Sequence, residues 1–144
     1  RGDCLHAALG LSQLEKLLDI IPIRQWNAVK LRYQLKKYKV PVQWPLQEYL
    51  KDCVFQFFPL VLDDGIDRTK VLKGLFDHGV DSRVLFPLTT QPAVKALYGD
   101  ISQNYPVSAR INTQGFIVGC HQHMDLQDMQ EIAGCIQEAI RYAT

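Results

Sequence analysis

Residues 115–140 read GFIVGCHQHMDLQDMQEIAGCIQEAI, and they decide the fold. Phe116 to Cys120 is a short run of aromatic and β-branched residues, which predicts a strand. Asp125 with Asp128 three residues on predicts a helix start, because a side-chain carboxylate at the cap accepts the orphan amides of the first turn. Met129, Ile132, Ala133, Ile136 and Ile140 then recur at three- and four-residue steps, which puts them on one face. A strand that feeds a long one-faced helix through the polar loop His121-Gln122-His123 predicts a helix packed on a sheet.

Upstream, Val54–Leu62 (VFQFFPLVL) is apolar almost throughout and reads as a strand covered across most of both faces, with a free edge where Pro59 lacks its amide hydrogen. Asp63, Asp64 and Gly65 make a turn. Asp67 caps a helix whose apolar stripe is Val71, Leu72, Leu75 and Phe76, and Gly79 ends it in the left-handed region. Ser82–Phe86 is a short strand stopped by Pro87, and the stretch holding Pro92, Gly99 and Pro106 reads as irregular with one short helix. Before the sheet, Lys39 to Pro45 holds two prolines and reads as a crossing loop. The chain opens with a helix whose Leu5, Ala8, Leu9, Leu14, Leu17, Leu18 and Ile21 suggest one buried face, and Pro22 then sits as a first-turn proline with the chain helical to Tyr38 through Trp26, Val29, Tyr33 and Leu35, so two consecutive helices or one kinked helix open the domain. The expected architecture is α+β, a single two-layer domain over residues 1–144. A helical lead-in spans 1–38 and an α+β body spans 46–144, with helices against a three- to four-stranded sheet.

Composition narrows the functional class. With 144 residues, 47% hydrophobic, 22% charged and a formal net charge of +1, the chain fits one folded soluble domain, and nothing in its bulk charge points to nucleic acid. Its longest apolar run, Val54–Leu62, falls far short of the ~20 residues of a membrane helix. The first residue is not Met and no targeting segment is visible, so the chain reads as a piece of something larger, placed in the cytoplasm. Cys4, Cys53, Cys120 and Cys135 form no C-x-x-C pair and read as reduced core cysteines.

Chemistry is sparsely marked. His121 and His123 alternate on a strand extension and could share a metal, but the sequence marks no third ligand, so a polar loop is the simpler reading. Cys120 or Cys53 beside a histidine would make a nucleophile, except that apolar neighbours raise a thiol's pKa. Arg24, Lys30, Arg32, Lys36, Lys37 and Lys39 form a basic run that reads as a solvated helix face. Arg83 follows Gly79-Val80-Asp81-Ser82 at a strand start, in a loop fixed by glycine and by Phe86-Pro87 and Gln91-Pro92, where a guanidinium would suit a phosphate or carboxylate. There is no P-loop, no G-x-G-x-x-G and no G-x-S-x-G.

These motifs, in this order, resemble the C-terminal part of the pyridoxal-phosphate-dependent DegT/DnrJ/EryC1/StrS sugar-nucleotide aminotransferases. Arg1 and then Ala7, Ala8, Leu9, Gly10, Leu11, Gln13, Leu14, Lys16 and Leu17 match the family pattern A-A-L-G-L-x-Q-L-x-K-L. The strand Phe57–Val61, the Gly79-Val80-x-x-Arg83 turn, Phe86-Pro87, Gln91-Pro92 and Gly115–His121 follow in the family's order. The chain departs from the pattern at Gly2 to Cys4 and at His6. The resemblance implies the small domain of fold-type I pyridoxal-phosphate-dependent transferases. It also implies a separate catalytic domain that carries the cofactor's lysine, the aspartate on the pyridine nitrogen and most phosphate contacts. Lys70 and Lys95 match no part of that lysine motif, so the chain by itself is expected to hold no pyridoxal phosphate and to be no catalyst. By the same resemblance Arg83, Phe86, Gln91 and His121 line the sugar-nucleotide side, and the first helix packs on the catalytic domain or on its own copy in a homodimer. Aminotransferases and the dehydratases that share the fold stay unseparated. Two alternatives stand beside this reading: a stand-alone homo-oligomeric interaction or ligand-binding module, and a small metal-dependent enzyme using His121 and His123.

Overall fold

In the computed structural model, which describes residues 3–46 and 52–144, the chain runs α1 (Cys4–Glu15), α2 (Leu17–Lys37), β1 (Val42–Gln43), β2 (Phe57–Leu62), α3 (Arg68–Asp77), β3 (Ser82–Val84), α4 (Pro92–Tyr98), α5 (Pro106–Gln114), β4 (Gly115–Gly119) and α6 (Leu126–Ala143). Arg1 and Gly2 of the opening motif lie outside the described residues. The strands form one antiparallel sheet in the order β1-β2-β4-β3. Register decides what the sheet buries. Phe58 lies across from Val118 and Leu60 across from Phe116, so the buried residues of both central strands fall on one face. Helix α6 covers that face with Met129, Ile132, Ala133, Ile136 and Ile140, the stripe expected from sequence, and α3 adds Val71 and Leu75. Helices α3 and α6 cross closely because Gly74 has no side chain: a Cβ there would stand 3.0 Å from the Cβ of Ala139.

The caps follow the sequence. Asp125 accepts from the amides of Gln127 and Asp128 while Asp128 accepts from the amide of Asp125, a reciprocal pair that fixes where α6 begins. Asp67 caps α3 through Thr69 and Lys70, and Gly79 closes it at φ +76°. At that end the Gly79 amide reaches Phe76 O and the Val80 amide reaches Leu75 O. The end of α2 repeats the arrangement, Lys39 to Lys36 O and Val40 to Leu35 O, but with Lys39 at φ +54° in the place where glycine is usual.

Several expectations are corrected. Helix α1 forms, yet it has no buried residue: Leu9 is 57% exposed and Leu18, at the start of α2, is 83% exposed. Its leucines have no partner surface within the described residues. The break between the opening helices falls at Lys16, and Pro22 lies inside α2 instead of in its first turn. Burial in α2 begins only at Asn27 and Ala28. The 39–45 loop contains the short strand β1, paired with Val61 and Leu62 and reinforced by the Asp63 amide donating to Pro41 O. Among the described residues β1 pairs only with Val61 and Leu62, which leaves the β2 edge at Pro59 open, as expected. Strand β2 buries Phe58, Leu60 and Leu62 on one face, while on the other Pro59 and Val61 are half-buried and Phe57 is 44% exposed. The segment read as irregular holds α4 and α5, with Pro92 and Pro106 each opening a helix, and single 3₁₀ turns at Leu88–Thr90 and Ser102–Asn104. Of the four cysteines only Cys120 is buried, whereas Cys4 and Cys53 are exposed and Cys135 is half-buried.

Candidate functional site

Arg83 and His121, far apart in sequence, meet at one cleft of about 550 Å³. The fold brings them there by two routes. The left-handed turn at Gly79 reverses the chain after α3 into β3, where Arg83 stands opposite Ile117 on the uncovered face of the sheet. Strand β4 ends at Gly119, and the loop after it carries His121 to the same place. Phe57 and Ile117 line the apolar part of the cleft, and Glu131, Ile132 and Cys135 of α6 line its far wall.

The charges in this cleft are unequally committed. Asp128 is engaged in the α6 cap and Glu131 accepts from Gln127 Nε2 at 3.1 Å. Arg24 donates through Nε to Gln122 Oε1 at 3.0 Å and through Nη1 to Phe55 O at 3.2 Å. Arg83 has an ion pair with Asp81 at 3.6 Å, and it is 71% exposed. A pair so wetted holds its partners weakly, so the guanidinium remains available to an incoming oxyanion.

The other two residues expected at the site lie elsewhere. Phe86 borders a separate apolar groove of about 570 Å³ with Leu85, Pro87, Tyr105, Pro106 and Ile111. The Gln91 side chain reaches Phe86 O, at 3.5 Å. The metal reading of His121 and His123 lacks its third ligand: among the described residues no three such side chains converge, and the two rings stand 6.1 Å apart. The nucleophile reading fails at Cys120, whose thiol is pushed up to about 11 by burial, against the opposing pull of the Arg24 charge. Burial likewise raises Cys135, with Glu138 and Glu131 adding to it. The basic run of α2 is not a uniform solvated face, because its first member, Arg24, turns inward to the loop after β4.

Two residues that hold the site gave little sign in the sequence, Arg24 and Asn27. Asn27 is buried and donates to His121 O and Met124 O. The signal available was a polar residue at the spacing of Leu31 and Gln34, on the face of α2 that turns inward.

A pyridoxal phosphate would need an amine to hold its aldehyde carbon, and neither the Arg83–His121 cleft nor the Phe86 groove is lined by a lysine. The phosphate has no ready seat at the start of α6 either, since Asp125 and Asp128 fill that helix terminus with carboxylate. Neither of these two pockets by itself supplies the amine that the cofactor's aldehyde needs.

The model of the DegT/DnrJ/EryC1/StrS aminotransferase family matches residues 3–137. No curated protein sequence matches. Among solved structures, the chain is similar to Helicobacter pylori PseC, an aminotransferase involved in the biosynthesis of pseudoaminic acid, with 20% identity, a TM-score of 0.79, and coverage of 95% of this chain and 37% of that one. A DegT DnrJ EryC1 StrS aminotransferase from Brucella abortus shows 22% identity and a TM-score of 0.76, over 97% of this chain and 36% of that one. GDP-4-keto-6-deoxymannose-3-dehydratase, solved with a trapped PLP-glutamate geminal diamine, shows 21% identity and a TM-score of 0.70, over 91% and 34%. The chain thus spans about a third of the length of the solved structures it matches. At these identities the structural likeness establishes the fold.

Proposed function

Because the chain belongs to the DegT/DnrJ/EryC1/StrS aminotransferase family, we propose that it is the small domain of a sugar-nucleotide aminotransferase. In this reading it supplies one wall of the substrate cleft and does not catalyse by itself. The observation that carries this is the make-up of the cleft: Arg83 and His121 beside the apolar Phe57 and Ile117, with no lysine in the lining. A guanidinium suits a diphosphate, an imidazole suits a hydroxyl or phosphoryl oxygen, and an exposed aromatic ring suits a base or sugar face. Phe86, at the separate groove, and Gln91, whose side chain reaches Phe86 O, would extend that wall. The lysine and the pyridoxal phosphate would come from a separate catalytic domain, and the assembled enzyme would be cytoplasmic. No described helix is long and apolar enough to cross a membrane.

A second reading, a homo-oligomeric module joined through α1, is favoured by the exposed leucines along α1 and at the start of α2. Unpartnered apolar faces of this kind are usually covered by another surface.

One experiment addresses both. The molar mass of the purified chain is measured by light scattering with and without pyridoxal phosphate while visible absorbance is recorded, and UDP-glucose is then titrated with the backbone amides of Arg83 and His121 followed by NMR. The small-domain reading expects no coloured, cofactor-bound species, together with shifts at Arg83 and His121. A defined dimer indifferent to both additions supports the second reading, and a coloured species would mean that a lysine of this chain takes the cofactor after all.

A further inference from the structure

Asn27 does more than fill space in α2. It is 1% exposed, and both hydrogens of its amide nitrogen are used on one loop, at 2.9 Å to His121 O and 2.9 Å to Met124 O. These are the first and last residues of the turn after β4, which the Met124 amide closes by donating to His121 O at 3.2 Å. Arg24, one helical turn before Asn27, holds Gln122, the first of the two residues between His121 and Met124, through its Oε1, and the Arg24 carbonyl accepts from Cys120 Sγ at 3.8 Å. The buried Asn27 Oδ1 has no donor among the described residues, so an asparagine at this site carries a cost to stability. A cost of that kind at a core position points to a requirement on the loop's shape.

That shape has a chemical result. Inside the turn, the His123 backbone amide donates to His121 Nδ1 at 3.2 Å. A ring nitrogen that accepts an N–H carries no hydrogen of its own, so neutral His121 keeps its hydrogen on Nε2. His78 faces acceptors on both sides, Gly74 O at 2.7 Å from Nδ1 and Glu138 Oε2 of α6 at 3.4 Å from Nε2, and the shorter contact places the hydrogen of its neutral ring on Nδ1. We infer that Asn27 is a positioning residue that, by pinning the 121–124 turn, fixes His121 as the Nε2–H tautomer and so gives the cleft a hydrogen-bond donor for a hydroxyl or phosphoryl oxygen. The role of that donor rests on the ligand reading of the cleft given above; the tautomer does not.

Long-range ¹H–¹⁵N NMR of the imidazole rings of the whole chain at pH 8 tests this directly, with His78 as the internal reference. The unmodified protein is expected to show His121 as a single Nε2–H tautomer and His78 as Nδ1–H. In Asn27→Ala the two ¹⁵N shifts of His121 should move toward each other, as for a ring exchanging between tautomers, while His78 keeps its pattern and so reports that α3 and α6 remain packed. Where Asn27→Ala does not fold, Asn27→Ser, which keeps one donor, is expected to show the same movement in smaller degree. An averaged or Nδ1–H His121 in the unmodified protein overturns the inference, as does a His121 pattern that neither variant changes. Failure of the ligand reading would look different: a correctly fixed His121 tautomer whose shifts, like those of Arg83, do not respond to UDP-glucose.

Discussion

Gly79→Ala and Lys39→Gly are expected to move stability in opposite directions by nearly the same amount. Both residues occupy the left-handed position after a helix, at φ +76° and +54°, and both ends carry the same pair of closing hydrogen bonds. A residue with a Cβ in that region costs roughly 1–2 kcal/mol. Against this, replacing glycine removes unfolded-state freedom worth roughly 0.4–1 kcal/mol. The difference is about 0.5–1 kcal/mol, lost in Gly79→Ala and gained in Lys39→Gly. Sterics do not blur the first, because a Cβ at Gly79 would meet nothing within 4 Å. For a domain of this size about 1 kcal/mol corresponds to a Tm change of roughly 2–4 °C. Urea denaturation followed by far-UV circular dichroism gives the free energies, with an unchanged m-value confirming that both variants unfold alike. The reasoning is refuted if the two changes share a sign, or if Gly79→Ala costs more than about 3 kcal/mol, which would demand a packing role that a simple left-handed penalty does not contain.

Three further outcomes follow from the same geometry. Gly115→Ala should lose about 3 kcal/mol or more, because its Cβ would run into the carbonyl of Ile111 and against Leu85; an urea midpoint within error of the parent would show that α5 gives way easily. Arg83→Gln should alter stability by less than about 0.5 kcal/mol, since its partner Asp81 is equally wetted, while abolishing the UDP-glucose-induced shifts at the cleft; calorimetric titration would detect a variant that binds as well as the parent. Cys120, held protonated by burial, contributes stability that is complete below its unfolded value of 9.0 and is lost as the pH rises toward about 11. Urea midpoints at pH 8, 9 and 10 should therefore fall more steeply for the parent than for Cys120→Ala, and parallel slopes would refute the assignment.

Local signals carried most of the helix and strand identities. The Asp125–Asp128 box, the stripe from Met129 to Ile140, and the Asp67 cap with its Gly79 stop are all decided within a few residues, and the structure has each of them. Proline misled three times: Pro92 and Pro106 open helices where they read as breakers, and Pro22 lies inside a helix it was expected to start. Strand β1 escaped notice because its two residues lie between Pro41 and Pro45 and are defined by partners on β2. In α1 the leucines count as an apolar face only if something covers them. Leu9 and Leu11 project to different sides of the helix, and none of its residues is buried. For the site, Arg83 was visible through its turn, and His121 through its place after a strand. Arg24 and Asn27 were not, since their partners lie 31 to 98 residues away and nothing near them in sequence distinguishes a polar side chain turned inward from one in water.

That long-range tie also separates two parts of the opening segment that the sequence runs together. From Asn27 onward, α2 belongs to the core through Ala28, Leu31 and Leu35, and the loop that carries His121 hangs from Arg24 and Asn27. Ahead of Arg24, the helices bury nothing fully. A surface that covered α1 could therefore bind and leave without disturbing a core contact, but tilting α2 as a rigid body would move both Arg24 and Asn27 and, with them, the turn from His121 to Met124. Coupling between an α1 partner and the cleft thus requires α2 to transmit a displacement across the break at Lys16. Lys16 keeps right-handed angles (φ −93°, ψ −4°) but its amide turns to Gln13 O three residues back, which interrupts the regular ladder and makes the junction a poor lever, while the buried half of α2 resists motion. The physical expectation is that the cleft stays preorganised whatever occupies α1. Glutamates at Leu5 and Leu9 should then abolish self-association, read by light scattering, while leaving the His121 tautomer as it was; a tautomer that changes with oligomeric state would show that the break does transmit.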